Sequence, residues 1–280
     1  MLKSASVFKL NCGNILLNLL SQFVTILILS KTEAVMKYDI LGVMVDNATM
    51  DEAVSTVSRY LGSKEAHMVV TPNAEILLMC ENDRELLDAI SKASFVSADG
   101  VGVLKAAKIL KTPLKEKVAG CDLGFNLLKE AAKGGHGVFL FGAKPGVAEA
   151  AAAKLCEKVP GLIISGTRDG YFKPEDDDQI VRQINDSGAD ILWVCLGAPK
   201  QEKWMAKNKD KLRVSVMLGL GGSLDVYAGN VKRAPKIMIK CKAEWLYRLI
   251  KEPWRFSRMI KIPRVVKLAK SELKRRQNDA

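Results

Sequence analysis

The chain has 280 residues, 48% of them hydrophobic and 26% charged. This is ordinary globular usage, which excludes a disordered chain, a collagen and a multi-span membrane protein and allows one large domain or two small ones. The net charge of +12 is unevenly placed: residues 1–231 carry 27 basic and 27 acidic side chains, and residues 232–280 carry 16 basic and 4 acidic. A neutral body with a basic tail points to an anionic partner at one end, whether a membrane surface, a nucleic acid or an acidic protein; the plainer alternative is a solvated helical tail. The six cysteines stand far apart with no C-x-x-C pair, and there are only two histidines. That pattern fits a reducing setting, and neither a disulfide scaffold nor a zinc site.

In chain order, Ile15–Leu29 is apolar but interrupted by Asn18, Ser21, Gln22 and Thr25. The run is short for a bilayer span, which needs about 20 residues, and no small-x-small cleavage site follows it cleanly. Residues 1–35 are therefore expected to lie outside the fold, either as a weak anchor or as upstream sequence from a too-early start codon. From Met36 short apolar runs alternate with helical stretches. Asp39–Val45 reads as a strand, and Thr49-Met50-Asp51-Glu52 as a capping box opening a helix through Leu61. Strands are expected at His67–Val70, Phe95–Ser97, Gly137–Phe141, Leu162–Ser165, Ile191–Leu196 and Val214–Leu218. Helices are expected at Ala74–Cys80, Arg84–Lys92, Val101–Leu110, Cys121–Lys133, Val147–Val159, Glu175–Ser187 and from Gln201 to Asn208. This alternation predicts an α/β fold, a Rossmann-like parallel-rich sheet with helices on both faces, over residues 36–235. Residues 236–280 read as a basic helical appendage, broken at Pro253 and Pro263.

In open parallel sheets ligands sit beyond the carboxyl ends of the strands. The polar groups there are Thr71 and Asn73, Asp99, the turn Gly142–Gly146, Gly197–Gln201 and Gly219–Asp225. Several precede helix N-termini, whose free N–H groups favour phosphate. The dinucleotide fingerprint fails: Gly219-Leu220-Gly221-Gly222-Ser223-Leu224 has leucine in its third glycine place and follows the last strand. Neither a Walker A motif nor a nucleophile elbow is present. Asp99 stands between a strand and a helix, where a carboxylate is a general base or, more simply, a cap. Thr71 is open between a helix start and a ligand contact. Asp176-Asp177-Asp178 contains the D-x-D of metal-dependent glycosyltransferases, but in the first turn of a predicted helix it reads as structural. His67 and His136 read as packing residues. In the tail, Arg248, Lys251, Arg255 and Arg258 recur at helical spacing among Trp245, Leu246, Trp254 and Phe256, a mixture suited to an anionic bilayer surface or to single-stranded nucleic acid.

Eight ordered segments carry a resemblance. They are Thr71–Glu75, Ala98-Asp99-Gly100, Val118-Ala119-Gly120, Gly170-Tyr171-Phe172, Gly197–Trp204, Gly219–Asp225, Lys232–Pro235 and Glu244–Arg248. Together, over about Met36 to Arg264, they resemble the WecG/TagA/CpsF family of bacterial glycosyltransferases, and the basic appendage looks most like its TagA branch. The resemblance implies transfer of N-acetylmannosamine from UDP-ManNAc to the C4 hydroxyl of GlcNAc-diphospho-undecaprenol, with inversion. The product, ManNAc-β-1,4-GlcNAc on the lipid, begins the wall teichoic acid linkage unit. By the same resemblance Asp99 matches the proposed base, Thr71 lies near the donor sugar with Asn73 beside it, and Gln201 lines the pocket. Lys117 stands where relatives carry arginine, which keeps the charge without the bidentate grip. Arg248, Arg255 and Arg258 are expected to neutralise the lipid diphosphate or UDP.

No metal and no cofactor are expected. The expected setting is cytoplasmic, peripheral on the inner face of the membrane. A homo-oligomer is among the expected assemblies, because a tail that leaves its own domain can open or cover a site. The alternative within the class uses UDP-ManNAc uronate or another UDP-hexose for a different surface polysaccharide. A nucleic-acid-binding protein would leave the polar strand ends unexplained, and a nucleotide-dependent oxidoreductase conflicts with the failed fingerprint.

Overall fold

The computed structural model describes residues 35–230 and 256–279. The N-terminal extension with its apolar run, and the segment 231–255 with its break at Pro253, lie outside the described residues.

The chain enters through a hairpin, β1 (Lys37–Ile40) and β2 (Val43–Asp46), paired antiparallel. The sequence reading had one strand across this stretch. Leu41 and Gly42 both take positive φ, at 58° and 86°, the backbone of a two-residue turn that reverses the chain. The Asp39 carboxylate accepts from the Gly42 N–H at 2.7 Å and holds that turn closed. Helix α1 (Met50–Ser58) starts at Thr49 with the expected capping box: Thr49 Oγ1 accepts from the Glu52 N–H and Glu52 from the Thr49 N–H.

Six parallel strands follow: β3 (His67–Val70), β4 (Phe95–Val96), β5 (Gly137–Gly142), β6 (Ile163–Arg168), β7 (Ile191–Cys195) and β8 (Val216–Gly219). Their order across the sheet is β4-β3-β8-β7-β5-β6. From β3 the chain steps outward to β4, crosses to build β5 and β6, then returns so that β7 and β8 fill the middle. Such a switch in winding direction leaves a crevice at the carboxyl ends of the central strands. Register brings those ends level, with Val69 opposite Leu218 and Val194 opposite Gly219.

Alternation along the strands divides the core. Met68, Val70, Phe139, Phe141, Leu192, Val194 and Met217 share one apolar cluster with α2 (Ala74–Cys80), α3 (Arg84–Ser91), α4 (Val101–Ile109) and α7 (Asp177–Asp186). Met205 and Trp204 of α8 (Lys200–Asn208) join it. On the other face Trp193 meets Tyr227 of α9 (Ser223–Tyr227), and the Trp193 ring would press on any Cβ added at Gly124 of α5 (Gly120–Gly134). Helix α6 (Val147–Lys158) completes that layer against α9. Among the described residues Cys80, Cys156 and Cys195 are free thiols.

The last helix, α10 (Phe256–Asn278), runs through Pro263. A break was expected there, since proline removes a backbone donor and crowds the preceding turn. Packing overrides that local cost: Val265 and Ala269 are fully buried in the main cluster, and α10 lies against α2 and α4. Ion pairs Lys261–Glu75, Arg264–Glu81 and Arg276–Asp39 flank the seam. Among the described residues no helix is long and apolar enough to cross a membrane.

Candidate active site

At the carboxyl ends of the central strands lies a cleft of about 260 Å³. Thr71, Asn73, Asp99 and Gln201 all line it, together with Glu75, Cys121 and the β8–α9 turn. Four residues singled out in the sequence, spread over 131 positions, therefore converge on one space because the neighbouring parallel strands β4, β3, β8 and β7 end side by side.

Thr71 follows β3 and is buried. Its Oγ1 donates to the Gly219 carbonyl at 3.0 Å, tying the end of β3 to the end of β8. The helix start belongs instead to Asn73, whose Oδ1 accepts from the Glu75 and Ile76 N–H groups at 2.8 and 3.2 Å. Asn73 thus shapes the cleft as the cap of α2.

Asp99 follows β4. Its backbone N–H donates to the Pro72 carbonyl at 3.1 Å. The simple capping reading predicts a carboxylate bound to the start of α4, but that helix has Gly100 at its N-cap and no side-chain cap. The Asp99 Oδ2 accepts from the Gly120 N–H at 3.1 Å, at the start of α5. Gly120 carries no Cβ because there is no room: one would sit 2.6 Å from Thr71 Oγ1. Gly120 consequently sits close to both Thr71 and Asp99 on one wall.

Gln201, in the first turn of α8, is buried. Its Oε1 accepts from the Gly221 N–H at 2.9 Å, and its Nε2 donates to Glu202 Oε1 at 2.7 Å. The amide thereby fixes the turn after β8. Glu202 was not singled out in the sequence. It is 1% exposed, its Oε2 has no hydrogen-bond partner among the described residues, and burial pushes its carboxyl above the usual range. Glu75 was also missed as a site residue. Both belong to motif segments of the resemblance, Thr71–Glu75 and Gly197–Trp204, and membership of those segments was the available signal.

Lys117 sits exposed in the loop before α5 and is not among the residues lining the cleft. Arg248 and Arg255 lie outside the described residues. Arg258 falls within α10, with its side chain outside the described part.

The structural reading of the aspartate run holds. Asp177 accepts from Trp204 Nε1 at 2.9 Å and pairs with Lys207, Asp178 pairs with Lys211 at 2.8 Å, and Asp176 accepts from the Lys173 N–H at 2.8 Å. The histidines pack: His67 stacks on Tyr60 with ring centroids 4.1 Å apart and bonds to Ser94 and Ser63, and His136 meets Asp190 at 3.2 Å.

Fold and cleft together define the class: a Rossmann-like α/β enzyme with its polar groups gathered at the carboxyl ends of a parallel sheet. The family model for the glycosyl transferase WecG/TagA/CpsF family matches residues 38–279, and the chain belongs to that family of glycosyltransferases. Over 219 residues it is 37% identical to the N-acetylglucosaminyldiphosphoundecaprenol N-acetyl-beta-D-mannosaminyltransferase of Bacillus subtilis (strain 168), covering 78% of this chain and 84% of the relative. Over 241 residues it is 37% identical to the protein of the same name from Staphylococcus aureus (strain MW2), covering 85% of this chain and 94% of the relative.

Proposed function

We propose that this chain moves N-acetylmannosamine from UDP-ManNAc to the C4 hydroxyl of GlcNAc-diphospho-undecaprenol, inverting the anomeric centre, in wall teichoic acid linkage-unit synthesis. One observation carries the mechanism: Asp99 brings a carboxylate into the cleft without serving as cap of the helix that follows it. In the proposed step the acceptor O4 attacks the sugar C1, and the C1–O bond to the diphosphate breaks. UDP leaves with the electron pair, and the hydroxyl proton passes to Asp99, the general base. Thr71 and Gln201 define the wall against which the donor sugar rests. The N-terminal end of α8, beside Gly197 and Ala198 of the cleft lining, favours the anionic leaving group through its helix dipole.

The names of the relatives support this reading of donor sugar and acceptor. Asp176, Asp177 and Asp178 are each engaged within the fold, which supports a structural role for the aspartate run. Turnover that survives EDTA is the expected outcome. The excess of basic residues after Lys232 supports a peripheral position on an anionic bilayer, where each cation near the surface contributes about 1 kcal/mol. Co-sedimentation with vesicles containing anionic lipid, lost at high salt, is the result that position predicts.

The decisive assay measures UDP release from UDP-ManNAc with and without a GlcNAc-diphospho-lipid acceptor, for the intact protein and for Asp99→Asn. Acceptor-dependent release that falls about 10²–10⁴-fold in the variant is expected for loss of a general base. Release that persists in Asp99→Asn would keep the reaction and remove the base. A folded wild type that releases no UDP would remove the donor.

A further inference from the structure

Two carboxylates, Asp99 and Glu75, line the cleft, and no lysine or arginine is among its described lining residues. A nucleoside diphosphate entering this space brings more negative charge to a partly water-excluded site, where like charges repel more strongly than in bulk water. Glu75 is the less expected of the two. It sits in the first turn of α2, where the helix dipole favours an acid, but its side chain is only 19% exposed and faces the ligand space.

A counter-charge comes from a distant part of the chain. Lys261 on α10 pairs with Glu75 Oε1, across 186 residues of sequence. The lysine cannot easily drift from this position, because α10 is anchored one turn further on by fully buried Val265, and two turns on by Ala269. The adjacent Arg264–Glu81 contact, at 3.8 Å, lies on the same seam.

We propose that Lys261 is a specificity-determining residue: by neutralising Glu75 it makes the cleft compatible with a diphosphate-bearing ligand. This rests on the nucleotide-sugar reading of the cleft. The competing role is a staple that merely holds α10 on the body. The two roles differ in what happens when both charges are removed. A staple stays broken, whereas a charge balance is restored.

The test uses the full chain. UDP binding is measured by calorimetry, and KM and kcat for UDP-ManNAc are measured alongside, for wild type, Lys261→Met, Glu75→Gln and the double variant. Lys261→Met is expected to weaken UDP binding and raise KM by about tenfold, with kcat changed less, and the defect should shrink at high ionic strength. Glu75→Gln alone should bind UDP at least as well as wild type. The double variant should return to within about twofold of wild type, because an amide beside an apolar chain has the same zero net charge as the ion pair it replaces. Lys261→Arg, which keeps the charge, should bind like wild type and guards against a folding defect in the methionine variant. Wild-type affinity in Lys261→Met, or a double variant as weak as Lys261→Met, would overturn the inference while leaving the transferase in place. A wild type that binds no UDP and turns over no UDP-ManNAc would instead overturn the donor reading, and the inference with it.

Discussion

Thr71, Gly120 and Asp99 show how closely the candidate site is built. The Thr71 hydroxyl donates to the last carbonyl of β8, and Gly120 approaches its side chain so nearly that an added Cβ would lie 2.6–2.9 Å from three of its atoms. Thr71 is buried and cannot swing away. Gly120→Ala is therefore expected to cost about 1–3 kcal/mol of stability, the range for overpacking, and to lower UDP release by displacing the wall that carries Asp99. Thermal melts beside the release assay check both. Thr71→Val keeps the shape but leaves a buried carbonyl without its donor, at a cost of about 1–3 kcal/mol, whereas Thr71→Ser retains the bond. Equal melting temperatures for the valine and serine variants would show that the bond contributes nothing. Sequence reasoning placed Thr71 and Asp99 at strand ends but left each ambiguous between local capping and a ligand role. Their partners, Gly219 and Gly120, are 148 and 21 residues away, so no local pattern could name them.

At the scale of elements, α8 carries a carboxylate into the core. Burial raises the Glu202 carboxyl above its usual 4.5. The folded form thus holds a proton that the unfolded chain would release in the window above that value. Its contribution to stability is present below 4.5 and is lost as pH rises through the raised value. Glu202→Gln removes the titration and keeps an acceptor for Gln201, so the variant should gain on wild type as pH rises through the same window. Melts between pH 4 and 8 that run parallel for the two proteins would refute this. Helix α10 shows the opposite sign near its end. Hydrogen bonds from Arg275 and Arg276 lower Glu272 to about 2, so its contribution is present above the usual 4.5 and is lost as pH falls through about 2. Its magnitude is small, below about 1 kcal/mol, because the arginines are partly solvated. Glu272→Gln should melt slightly below wild type at neutral pH, with the gap closing in strong acid. Local signals located most of these helices, among them the capping box at Thr49 and the Ala-rich run of α6. The five-residue α9 and the passage of α10 through Pro263 were missed. The first is too short to show a period, and the second is held by contacts with α2 and α4.

The whole molecule turns on strand order and on where the chain's last helix lands. A buried acid in place of Val265 tests the landing. Val265→Asp puts an unpaired charge into the seam and should cost on the order of 3 kcal/mol. If α10 delivers Lys261 as inferred, the same variant should also weaken UDP binding, whereas a small melting shift with unchanged UDP affinity would show that the seam is dispensable. The sequence by itself determined the α/β alternation, the parallel sheet, the polar groups at the strand ends and the concentration of positive charge after Lys232. These depend on period, turn chemistry and composition, which are local. Only the tertiary structure decided that β7 and β8 return between β3 and β5, that Asp99 serves the start of α5 and not α4, that Gln201 leans on a buried Glu202, and that Lys261 meets Glu75. Each of these joins residues with no sequence proximity, and which distant pairs meet is set by the packing of the apolar faces, a property of the assembled core and of no single segment.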